Sequence, residues 1–91
     1  MRKLTWRRSA SDQLDGILGY IAENDKQAAD RLEQRITEIL DTAIVVPFMG
    51  RPGRLAGTRE LIVHPNYIVV YRVTDAAINI LRVLHTRTQY P

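Results

Sequence analysis

An α+β fold is what the sequence predicts: a short strand, an antiparallel helical hairpin, and a C-terminal three-stranded antiparallel meander, in the order β-α-α-β-β-β. Three observations predict it. Two consecutive stretches, from Ala10 to about Glu23 and from Asp25 to about Thr42, repeat apolar residues at helical spacing. The segment 46–58 loses all periodicity and is punctuated by glycine and proline. Three runs rich in β-branched and aromatic residues then follow, separated by turn residues. With 91 residues, no internal repeat and no low-complexity linker, the chain 1–91 is expected to form one domain.

Lys3-Leu4-Thr5-Trp6 alternates polar and apolar residues and suits a short strand. Ser9-Ala10-Ser11-Asp12 resembles a capping box, with Ser9 as the N-cap of the first helix. Ala10, Leu14, Ile17, Leu18 and Ile21 then form one apolar stripe. Gly16 and Gly19 each cost that helix about 1 kcal/mol relative to alanine, which close helix packing would explain. Asn24-Asp25 breaks the pattern, and Asp25 can cap the second helix. There Ala28, Ala29, Leu32, Ile36, Ile39, Leu40 and Ala43 face inward, while Asp30, Arg31, Glu33, Gln34, Arg35 and Glu38 form a solvated face. So short a connection folds the helices into a hairpin. After the loop, strands are expected at Arg59–His64, Tyr67–Thr74 and Ile78–Thr86, joined at Pro65-Asn66 and Asp75-Ala76-Ala77.

Strict alternation places Ile68, Val70 and Arg72 on one face of the middle strand and Val69 and Val73 on the other. In the last strand it places Ile78, Ile80, Arg82 and Leu84 opposite Leu81, Val83 and His85. Both sheet faces are then apolar, and two helices cover only one. The first helix, the loop, dimerisation or a partner must cover the other, and a bare patch of that size points to a partner. His85, sharing parity with Leu81 and Val83, reads as a buried structural histidine.

Composition removes most chemistries. There is no cysteine, hence no disulfide, thiolate nucleophile or cysteine-ligated metal. His64 and His85 are too few for a histidine-built metal site, and no nucleotide loop or His-Glu-x-x-His pattern occurs, so neither metal nor cofactor is expected. Ser9 and Ser11 look like helix-start residues. No apolar run reaches membrane length, and the N-terminal arginines precede no apolar signal core, which predicts a soluble, cytoplasmic protein without membrane contact.

Charge is distributed unevenly. Up to Ile44 seven basic residues face eight acidic ones; from Val45 onward six arginines face only Glu60 and Asp75, for a net charge of +3. Those arginines are Arg51, Arg54, Arg59, Arg72, Arg82 and Arg87. Arginine suits forked contacts to phosphate and carboxylate. An arginine interrupting an apolar strand face must reach an edge, pair with a carboxylate or meet an anionic ligand. Arg59 and Arg82 are expected to cluster on the meander, with Arg51 and Arg54 leaning over them from the loop. A metal-free ribonuclease needs a base, a phosphate-binding cation and an acid; Arg59, Arg82, His85 and Tyr90 are the candidates.

Gly57-Thr58-Arg59-Glu60-Leu61, Tyr67-Ile68-Val69-Val70-Tyr71-Arg72-Val73 and Ile80-Leu81-Arg82-Val83-Leu84-His85 follow Ala10 through Tyr20-Ile21-Ala22, Ala28-Ala29-Asp30-Arg31-Leu32, Pro47 and Gly50-Arg51. In this order and spacing the whole chain resembles the RelE/ParE superfamily of toxins from bacterial type II toxin–antitoxin pairs. The resemblance implies a growth-arresting toxin, of the kind tied to plasmid stabilisation, that a cognate antitoxin wraps and silences. The antitoxin would cover the second apolar face, meeting Ile68, Val69 and the arginines named above. RelE-like members cut messenger RNA on the ribosome without metal, whereas ParE-like members poison DNA gyrase and need no catalytic residue. Here the only lysines are Lys3 and Lys26, and His85 is followed by Thr86-Arg87 where other nucleases of the superfamily end in His-Tyr. The resemblance therefore favours DNA gyrase as target over the ribosome with its message. A toxin fold kept only as a binding module is the remaining alternative.

Overall fold

The computed structural model describes residues 1–90. Strand β1 (Lys3–Trp6) leads into helices α1 (Arg8–Ala22) and α2 (Lys26–Val45), followed by β2 (Arg51–Pro52), β3 (Arg59–His64), β4 (Tyr67–Val73) and β5 (Ala77–His85). The sheet order is β1-β5-β4-β3-β2, with β1 parallel to β5 and every other pair antiparallel. Both helices lie on one face, where Leu32, Ile36, Leu40, Leu61, Val69, Tyr71, Ile80 and Val83 close the main core. No helix among the described residues is long and apolar enough to cross a membrane.

The predicted order of elements holds, with local differences. The cap of α1 is Arg7, not Ser9, and its side chain makes no capping bond. Pairing with β5 extends past Trp6, because the Arg7 N–H donates to the Ile80 carbonyl at 2.9 Å. The chain then turns directly into helix, leaving Ser9 inside the first turn. Asp25 caps α2 as expected, accepting from the Ala28 N–H at 3.0 Å. The loop is interrupted by β2, whose Arg51 and Pro52 pair with Glu60 and Arg59.

A bulge changes the faces of β5. Val70 pairs with Arg82 but Tyr71 pairs with Ile80, so Leu81 is an extra residue with no partner across the ladder. Ile78, Ile80 and Val83 consequently all face the helices, while Arg82 and Leu84 face away. Arg82 and Leu84 thus do not share a face with Ile80, contrary to strict alternation.

The second apolar face is not bare. Leu55 from the loop and Tyr90 from the C-terminal tail pack on Ile68, Val70 and Leu84. The chain supplies its own cover, and no partner is needed to bury this face.

Gly16 and Gly19 do not serve helix packing either, since a methyl group at either position would meet nothing within 4 Å. Gly16→Ala should therefore recover about 1 kcal/mol of helix propensity. For a domain of this size that raises the thermal midpoint by about 4–8 °C, which differential scanning calorimetry would register.

Candidate functional site

Away from the helices, strand alternation aims Arg72 of β4 and Arg82 of β5 outward, beside Glu60 of β3. Glu60 is buried, with its side chain only 2% exposed, and two arginines reach it from the preceding loop. Arg51 grips one carboxylate oxygen through Nε at 3.0 Å and Nη2 at 2.9 Å. Arg54 approaches the other with Nε at 3.5 Å and its backbone N–H at 3.4 Å. The loop can fold back this way because Gly57 adopts φ +79°, where a side chain would be strained and would also meet the Arg72 guanidinium at 2.9 Å.

Arg54 continues to the tail. It donates to the Thr88 carbonyl at 3.0 Å and lies over the Tyr90 ring at 4.4 Å, with Arg82 at 5.8 Å from the same ring. Tyr90 is itself buried, and its hydroxyl has no hydrogen-bond partner among the described residues. Arg72 and Arg82 are left as the face's cations without a carboxylate partner among the described residues.

Arg59 lies on the opposite face, paired with Tyr71 in the ladder. It therefore does not cluster with Arg82, as alternation along β3 had to dictate once Glu60 faced outward. Its guanidinium donates to the Phe48 carbonyl at 3.2 Å and the Gly50 carbonyl at 2.8 Å, and sits 4.9 Å from the Phe48 ring centroid. Tyr71 reinforces it: the hydroxyl donates to the Pro47 carbonyl at 2.9 Å and accepts the Gly50 N–H at 2.9 Å. Burial pushes the Tyr71 hydroxyl above its ordinary range, outweighing the Gly50 N–H and the Arg59 charge that pull it down. It stays a proton donor.

His85 is half-buried at the helix-side rim, not in the core. Its Nδ1 accepts the Arg87 N–H at 3.1 Å, and its ring stands edge-on to Tyr67 with centroids 5.6 Å apart. Arg87 itself is exposed. Ile68 and Val69 are buried within the chain and present no side chain to a partner. Arg59, Arg82, His85 and Tyr90 thus fall in three places: the α2 end of the helix face, the open sheet face, and the helix-side rim.

Sequence reasoning passed over a second cationic feature. A depression of about 530 Å³ opens between the helical hairpin and the β3–β4 turn, lined by Arg31, Arg35, His64 and Tyr67 over Ile21 and Leu32. Arg35 donates to the Val63 carbonyl at 2.7 Å, while Arg31 has no hydrogen-bond or ion-pair partner among the described residues. The available signal was the pair itself: two arginines one turn apart, with no acid a turn away from Arg31. No group of three or more metal-ligating side chains occurs among the described residues.

Residues 4–90 match the family model described as the ParE toxin of the type II toxin-antitoxin system parDE. The chain is 37% identical over 91 residues to the protein Y4kP of Sinorhizobium fredii, covering 99% of this chain and 94% of that protein. It is 33% identical over 85 residues to toxin RelE2 of Caulobacter vibrioides, covering 93% and 96%. Among solved structures, the chromosomal ParDE system of P. aeruginosa superimposes with a TM-score of 0.79 at 27% identity, over 93% of this chain and 96% of that one.

Proposed function

The chain belongs to the ParE toxin family of type II toxin–antitoxin systems, within the RelE/ParE superfamily, and from that premise we propose that it arrests growth by poisoning DNA gyrase and is silenced by a cognate antitoxin. One observation supports gyrase over RNA cleavage: the residues a metal-free nuclease would need do not converge. Arg59 is spent on two loop carbonyls, and His85 turns Nδ1 to its own tail, on the far side of the sheet from Arg82. General acid–base catalysis requires such groups within hydrogen-bond reach of one reacting phosphate.

A second reading, ribosome-dependent cleavage of messenger RNA, has one observation in its favour. The buried Tyr90 hydroxyl lacks a partner among the described residues, and the Arg54 and Arg82 guanidinium groups lie 4.4 Å and 5.8 Å from the centroid of its ring. Inducing the toxin separates the two. The gyrase reading expects a DNA-damage response with intact messages; truncated messages with normal supercoiling would overturn it. His85→Ala should leave arrest within a few-fold of wild type, whereas loss of a true general acid or base costs about 100- to 10,000-fold.

For the antitoxin, the depression at the hairpin end is the seat we favour. Its floor is apolar, its rim holds Arg31, Arg35 and His64, and no acid lines it, which suits an acidic segment carrying an apolar anchor. Arg31→Glu with Arg35→Glu should weaken antitoxin binding by about 30-fold or more in a calorimetric titration. Growth arrest by the free toxin should persist.

A further inference from the structure

The described residues leave few large apolar side chains exposed, and four of them fall within five positions: Val45 (73% exposed), Val46 (50%), Phe48 (58%) and Met49 (41%). They sit where α2 ends and the chain turns toward β2. We propose that residues 45–49 form part of the surface by which the toxin grips the protein it arrests, and that this partner offers an apolar patch rimmed by acids there. The inference rests on the toxin reading of the chain, and not on which protein is the target.

The backbone here is held as tightly as the side chains are exposed. Tyr71 bonds the Pro47 carbonyl and Gly50 N–H, and Arg59 bonds the Phe48 and Gly50 carbonyls. The Val46 N–H returns to the Thr42 carbonyl at 2.8 Å, and the Met49 N–H to the Val46 carbonyl at 3.1 Å. Gly50 permits the approach, since a methyl group there would lie 2.6 Å from the Tyr71 hydroxyl and 2.8 Å from the Glu60 carbonyl. A buried tyrosine, an arginine and a glycine thus fix a loop whose side chains contribute little to the core. Compare Leu55 in the following loop, which turns inward and covers Ile68 and Val70. A rigid backbone presenting apolar side chains binds without the ordering cost a mobile loop incurs.

Charge selects the occupant. Between Asp41 and Glu60 the chain holds three arginines and no acid; Glu60 takes Arg51 and Arg54, while Arg59 has no carboxylate partner among the described residues. Arg51 keeps a half-exposed side chain, and Arg59 lies against Phe48. A second copy of this chain would bring like charges together, which opposes self-association. A nucleic acid offers little aliphatic surface for Val45, Val46 and Met49. An acidic-rimmed protein surface satisfies both the arginines and the apolar side chains. The loop is also remote from the proposed antitoxin seat: Arg31 and Val45 are fourteen helical residues apart on α2, about 21 Å at 1.5 Å per residue.

The test uses the full chain co-produced with its antitoxin, then released. Phe48→Asp with Met49→Asp should raise the toxin dose needed for arrest by about 30-fold or more. Antitoxin affinity should stay within about threefold and the thermal midpoint should not fall. Val45→Asp, in the last turn of α2 and outside the bonded loop, should act in the same direction. Phe48→Leu with Met49→Leu should restore arrest. The proposal is overturned if the aspartate variants fold and arrest at the wild-type dose, or if antitoxin affinity falls in parallel, which would give the loop to the antitoxin. It is likewise overturned if the leucine variant fails to arrest. A wild-type toxin that arrests growth without inhibiting gyrase would instead sink the gyrase reading and leave this assay intact.

Discussion

Arg72→Glu with Arg82→Glu should abolish growth arrest at doses where the wild type is fully active. Both side chains project from the sheet face away from the helices, and neither has a carboxylate partner among the described residues. Truncating one partner of a buried charge pair at an interface typically costs about 2–5 kcal/mol, or about 30- to 5,000-fold in affinity. Reversal adds repulsion to that loss. Arg72 is exposed and Arg82 half-exposed, so the variant should fold, as circular dichroism would verify. Antitoxin affinity should change by no more than about threefold, because the proposed seat lies across the sheet. The corresponding change at Arg59 has a different meaning: Arg59→Glu would release the Phe48 and Gly50 carbonyls and loosen the loop.

Arg51→Ala with Arg54→Ala should destabilise the fold by about 3–5 kcal/mol, the usual consequence of leaving a buried charge uncompensated. Glu60 is the reason. Its carboxylate is almost wholly shielded from water and, among the described residues, takes its side-chain ion pairs from these two alone. Their own side chains are 54% and 40% exposed, so the arginines would tolerate losing Glu60 far better than Glu60 tolerates losing them. Adding Glu60→Leu to the double variant should accordingly return most of the loss, because an apolar replacement of a buried ion pair is often neutral. Urea unfolding of the three proteins measures this. Arg51 and Arg54 are therefore committed to the fold first, and contribute to an interface only through the donors that Glu60 leaves free.

The sequence carried the element order because periodicity is a local property. The stripe from Ala28 to Ala43, the Asp25 cap and the three β-rich runs each announce themselves within a few residues. What it hid was non-local. Between Ile80 and Leu84 only Arg82 is polar, so the bulge at Leu81 leaves no break in composition, yet it moves Arg82 and Leu84 to the other face from Ile80. Leu55 and Tyr90 cover the second apolar face from opposite ends of the meander, a closure that no pattern within the strands encodes. Arg59 and Arg82 were legible as arginines on strands, but their faces depended on the parity of Glu60 and on that bulge. His85 followed the parity of Val83 as expected; the strand's end, however, leaves it on the rim and not in the core. Arg31 and Arg35 read as solvated helix positions because the depression they line is completed by His64 and Tyr67, about thirty residues further on.

Action on DNA gyrase, the proposal made for this ParE-family chain, has a direct biochemical readout. It is tested most directly by adding the purified toxin, freed from its antitoxin, to gyrase, ATP and relaxed plasmid. Loss of supercoiling with accumulation of gyrase-cleaved DNA is the expected result, restored to normal when antitoxin is added back. Complete supercoiling at saturating toxin, alongside cutting of messages on the ribosome, would contradict it.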